Sequence, residues 1–161
     1  MSRTAAEQTN PIADTPVLLA SMVSWPLTGR AVGSPWRLVA AAGAVTEAIS
    51  HVPLLTGTLS STPYLGVGFL LLAVAGFLLT LLLVINDTLA VWASTVVVSA
   101  LALIGYVLSR TSGLPQAPQF VGHWSYPLGI VSIVGEAMML LPGLLYLPRF
   151  ARELTAHASA R

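Results

Sequence analysis

The chain has 161 residues, 55% of them hydrophobic and 8% charged, with a formal net charge of +1. A soluble domain carries about 25% charged residues, so this composition excludes an ordinary water-facing surface and points to a membrane. All seven basic residues are Arg and Cys is absent, which removes disulfides, thiolate metal sites and cysteine nucleophiles, while the small net charge excludes nucleic acid as a partner.

Residues 1–33 do not form a secretory signal. Glu7 and Asp14 stand where basic residues are wanted, and Ser21, Ser24 and Pro26 interrupt the apolar run 16–27. The segment reads as a cytoplasmic arm whose apolar part rests on the membrane interface. Four apolar segments follow, at about 36–52, 64–85, 89–108 and 127–147, each near the ~20 residues that cross a bilayer as a helix. Ser34 and Pro35 are placed as N-cap and first helical residue of the first span, and Pro53 with the loop 54–63 ends it. Asn86-Asp87-Thr88 forms a very short turn, with Asp87 placed to cap the third helix, so the second and third helices become antiparallel neighbours. Pro148 and Arg149 close the fourth helix and leave 149–161 as a cytoplasmic tail. The fold class expected is all-α: an integral membrane four-helix bundle over 34–148 with a structured extracytoplasmic loop between helices three and four.

Orientation comes from the arginines. Arg3, Arg30 and Arg37 precede or open the first span, Arg149, Arg152 and Arg161 follow the last, and only Arg110 lies on the other side. Cytoplasmic flanks collect basic residues, which puts both termini inside. Arg without Lys, together with abundant Ala, Leu, Val and Gly, suggests a GC-rich bacterial genome and hence a bacterial cytoplasmic membrane. The loop 110–126 carries Gly113, Pro115, Pro118 and Gly122 with apolar Phe120 and Trp124, the composition of an ordered cap. Tyr64 and Trp124 are its expected anchors.

Three ionisable residues lie within the apolar segments: Glu47, His51 and Glu136. Such groups are costly in a bilayer and face the protein interior or a wet cavity. Glu47 and His51, four apart, share one helix face. Arg110 at the end of the third helix and His123 in the loop complete a set of five that converges in the outer half. Three readings are open. In the first, Arg110 neutralises Glu47 or Glu136 and the cluster fastens the loop, giving a structural, accessory or interaction protein. In the second, Glu47, His51, His123 and Glu136 bind a small ligand or a transition metal, the only cofactor the sequence leaves open. In the third they begin a proton or ion path, although no ionisable residue continues it through the inner half. No nucleophile elbow or cofactor motif is present, which leans against an enzyme. The expected partners are the lipid bilayer and other membrane subunits or a second copy of the chain. The cytoplasmic half reads as nearly featureless.

From His51 onward the chain resembles a group of small four-helix bacterial membrane proteins. The resemblance rests on His51-Val52-Pro53-Leu54, Pro63-Tyr64-Leu65-Gly66-Val67 and, most distinctively, Gly105-Tyr106-Val107-Leu108-Ser109-Arg110-Thr111-Ser112-Gly113-Leu114-Pro115. Trp124, then Pro127-Leu128-Gly129-Ile130-Val131-Ser132 and Glu136 complete it. It covers about two thirds of the chain. It implies the four-helix architecture and no particular activity.

Overall fold

A computed structural model of the chain describes residues 29–159. The expected interfacial arm falls almost wholly on residues 1–28, outside the described part. The first helix, α1 (Arg37–His51), passes through a 3-10 turn (Val52–Leu54) into a short helix, α2 (Leu55–Ser61). The expected loop 54–63 is therefore helical. Pro53 has no N–H to give, and the tighter turn accommodates it while Val52 and Leu55 keep helical dihedrals. Thr62 (φ −145°, ψ 74°) reverses the chain, and α2 folds back on α3 (Pro63–Ile85). Gly66 permits this, since a Cβ there would come within 2.6 Å of the Leu59 backbone nitrogen.

Helix α4 (Leu89–Thr111) and the long α5 (Pro127–Ser159) follow, with a 3-10 turn (Pro118–Phe120) between them. Helix α5 runs through both Pro142 and Pro148 rather than ending at the second. Proline's fixed φ is helical, so the chain continues at the cost of a hydrogen bond. Its 33 residues span about 50 Å at 1.5 Å per residue. Among the described residues, four helical stretches are long and apolar enough to cross a membrane: Arg37–Ser61, Pro63–Ile85, Leu89–Thr111 and Pro127–Arg152.

Helix α1 is the hub. Its buried face carries Ala40, Ala41, Gly43, Ala44 and Ala48, small enough for two neighbours to approach its backbone. A Cβ on Gly43 would meet the Gly135 carbonyl of α5 at 2.5 Å, and one on Gly76 of α3 would meet the Ala44 carbonyl at 2.7 Å. Around the bundle the order is α3, α1, α5, α4. Although a short turn joins them, α3 and α4 pack against each other far less than α1 packs against α3 or α5. The turn holds their ends together and leaves the rest apart.

The turn end of the bundle, which reads as featureless, contains a buried polar lock. Thr88, not Asp87, caps α4: its hydroxyl accepts the Val91 N–H at 3.3 Å. The Asp87 carboxylate, fully buried, faces the chain entering α1 and accepts the N–H groups of Gly33 at 2.9 Å and Ser34 at 2.8 Å. The Val32 N–H donates to the Asp87 carbonyl at 3.1 Å. The Ser34 hydroxyl oxygen accepts the Trp36 N–H at 3.1 Å and the Tyr146 hydroxyl at 2.6 Å, closing a turn one step before the helix itself begins at Arg37. Tyr146 stacks on the buried Trp92 with ring centres 4.7 Å apart. The lock thus ties α1, the α3–α4 turn, α4 and α5 together.

Two stability predictions follow from this packing. Gly43→Ala and Gly135→Ala should each lower stability in detergent by about 1–3 kcal/mol through overpacking. Gly68→Ala, which meets open space, should not. Asp87→Ala removes a charged acceptor from two buried amides and should cost about 3 kcal/mol; thermal unfolding followed by circular dichroism checks both.

Candidate functional site

At the opposite end of the bundle, the gap between α3 and α4 opens into a cavity of about 350 Å³. Leu65, Gly68, Phe69 and Leu72 of α3 form one wall and Leu101, Ala102, Gly105 and Tyr106 of α4 the other. His51, Leu54 and Thr58 close the α1–α2 side, Leu114 and Phe120 the loop side, and Gly129, Ser132 and Glu136 the α5 side. The lining is largely apolar, with a few polar groups gathered on α1, α4 and α5, the pattern of a small-molecule site.

Each polar group is held by its own helix. Ser132 and Glu136 are one turn apart on α5, and the Ser132 hydroxyl donates to Glu136 Oε1 at 2.8 Å. Glu136 Oε2 is buried without a hydrogen-bond partner. His51 Nδ1 lies 2.9 Å from the Glu47 carbonyl. A carbonyl only accepts, so Nδ1 carries the proton and Nε2 is left as an acceptor. The His51 ring also packs on Phe69, centres 5.2 Å apart. Arg110 is buried; its guanidinium sits 4.7 Å from the Tyr106 ring centre and 5.2 Å from that of Phe120. Its Nη1 donates to the Ser109 hydroxyl at 3.3 Å, and its Nε is buried without a partner. Gly129 makes room for this stack, since a Cβ there would meet Tyr106 Cε2 at 2.8 Å.

The five expected residues separate into groups. His51, Arg110 and Glu136 line the cavity. Glu47 lies beside it, fully buried in the α1–α5 contact, with neither carboxyl oxygen hydrogen-bonded. His123 is exposed in the loop and does not line the cavity. Arg110 is hydrogen-bonded to neither carboxyl group; aromatic faces and Ser109 surround it instead. Among the described residues no three His, Asp or Glu side chains are placed to hold a metal ion. On α4, the hydroxyls of Ser94, Thr95 and Ser99 donate to carbonyls four residues back, so each is committed to its own helix.

Of the two expected loop anchors, Tyr64 donates its hydroxyl to the Pro115 carbonyl. Trp124 is held through its carbonyl, which accepts the Tyr106 hydroxyl at 2.9 Å, and through ring contact with Tyr106 at 6.1 Å. The Gly122 N–H, at φ +78°, donates to the Arg110 carbonyl at 2.9 Å. Tyr106 therefore carries both Arg110 and the loop, a role its sequence position does not reveal. Ser132 was detectable only by its spacing of four from Glu136.

Compared with protein-family models, curated proteins and solved structures, the chain matches none. Tyr106→Phe should weaken the loop's attachment by about 1 kcal/mol. Hydrogen exchange at the amides of residues 122–124 should accelerate in that variant while α1 and α5 exchange as before.

Proposed function

We propose that this chain is a multi-pass membrane protein, with both termini in the cytoplasm, that binds a small amphipathic molecule in the cavity between α3 and α4. Membrane residence is supported by the four long apolar stretches and by an extensive apolar outer surface, on which Leu71, Leu141 and Leu145 are 64%, 66% and 62% exposed. The orientation is supported by Arg30, Arg37, Arg149 and Arg152 at one end of the bundle against Arg110 at the other. On that reading the cavity belongs to the outer half, and the loop over it is extracytoplasmic.

The single observation that carries the ligand reading is the set of unpartnered buried atoms at an apolar cavity. A polar atom buried without a partner costs about 1–3 kcal/mol. Glu136 Oε2 and Arg110 Nε are both in that state, on residues that line the cavity. A ligand with an apolar body and a polar head would satisfy them once either side chain turned its buried atom toward the cavity. A second reading, an accessory or interaction protein whose outer cluster fastens the loop, is favoured by the Tyr64, Tyr106 and Gly122 hydrogen bonds that secure residues 115–124.

Native mass spectrometry of the purified protein, titrated with a long-chain alcohol, a fatty acid and an alkylamine, separates the two. Binding should give a one-to-one adduct that Gly105→Phe abolishes. Gly105 faces open space, so the phenyl group fills the cavity without a backbone clash. Glu136→Gln should weaken the amine at least tenfold and Arg110→Gln the acid. Equal adducts on wild type and Gly105→Phe would sink the ligand reading and leave the fastening one.

A further inference from the structure

A second pocket, of about 340 Å³, lies at the turn end of the bundle and is lined by Arg30, Ala31, Val32, Leu89, Arg149 and Arg152. Three of its six lining residues are arginines, and none is acidic. They come from distant parts of the chain. Arg30 is brought in by the segment that Asp87 fastens, where Val32, Gly33 and Ser34 bind the α3–α4 turn. Arg149 and Arg152 are three apart on α5 and so share a face. Arg149 is steadied over the Tyr146 ring at 5.6 Å, the same tyrosine that bonds Ser34. Leu89 is the first residue of α4, so the positive end of that helix also borders the pocket.

Three exposed like charges around one pocket make it a favourable place for an anion. Guanidinium groups match the oxygens of a phosphate through paired N–H donors. The depth of the pocket identifies the source of that phosphate. Arg152 ends the fourth apolar stretch and Leu89 opens the third, which puts the arginines where a bilayer's headgroups lie. We infer that the Arg30–Arg149–Arg152 pocket binds the phosphate headgroup of an anionic lipid at the cytoplasmic interface. This rests on the membrane reading above and is independent of the outer cavity. Basic pockets among membrane helices on the cytoplasmic side bind anionic headgroups in this manner. The apolar Val32 and Leu89 face the glycerol and first acyl carbons.

The test uses the full chain in a neutral detergent, with native mass spectrometry and thermal unfolding as readouts. Added probes are phosphatidylglycerol, zwitterionic phosphatidylcholine and inorganic phosphate. Phosphatidylglycerol should bind at least tenfold more tightly than either of the others and raise the unfolding temperature. Arg149→Gln and Arg152→Gln should each weaken it at least tenfold. Both arginines are exposed, so both variants should retain the fold. Arg37→Gln removes the same charge outside the pocket and should bind as wild type does. Gly105→Phe, which fills the outer cavity, should also leave lipid binding intact, so the two sites fail separately. Equal binding of phosphatidylglycerol to wild type and Arg152→Gln would overturn the inference, as would an equal loss in Arg37→Gln. Inorganic phosphate binding as tightly as phosphatidylglycerol would overturn the lipid assignment.

Discussion

Backbone-to-backbone approach at Gly43 and Gly135 sets the position of α1, and the arrangement of the other helices follows from it. In a bilayer no hydrophobic force would favour contact between such helices, so close van der Waals packing would have to supply it. The small face of α1 gives α3 and α5 that closeness, with Ala44 against Gly76 on one side and Gly43 against Gly135 on the other. The pair α3 and α4 makes no equivalent contact: Gly68 and Gly105, which border the gap between them, meet open space. The apolar side chains of the two helices leave space near the loop end, and the cavity is that space.

The two ends of the bundle solve the burial of charge differently. At the turn end Asp87 is fully buried and both carboxylate oxygens are satisfied by backbone amides. At the loop end Glu47, Glu136 and Arg110 are buried with atoms left over. Such unsatisfied groups are rare in native proteins and call for an explanation in strain, function, or a bound water or ion. Tyr106 and Phe120 compensate the Arg110 charge in part by presenting their ring faces to it. A carboxylate partner would have closed the cluster; instead the guanidinium lies against two aromatic rings.

The helical architecture was legible because runs of twenty apolar residues admit few other folds. Helix ends were less so. Pro53 and Pro148 read as stops, yet both sit inside helical segments, because proline removes a donor without forbidding helical dihedrals. The expected pairing of Arg110 with a glutamate considered charge alone and overlooked the two aromatic rings within reach. His51 and Glu136 were found by the expense of placing them in a bilayer and Arg110 as the lone arginine at its end of the bundle, and all three line the cavity. The role of Asp87 was not legible at all. Its partners lie 53 and 54 residues earlier, beyond the range of any capping pattern.

That separation also bears on the order of assembly. A chain is made from its N-terminus, and local helices form long before distant contacts can. When α1 first forms, the Asp87 carboxylate that accepts the amides of Gly33 and Ser34 has not yet been synthesised. Tyr146, which completes the bonding of Ser34, comes later still. The polar lock at the entry to α1 is therefore completed only after Tyr146 of α5 has been made.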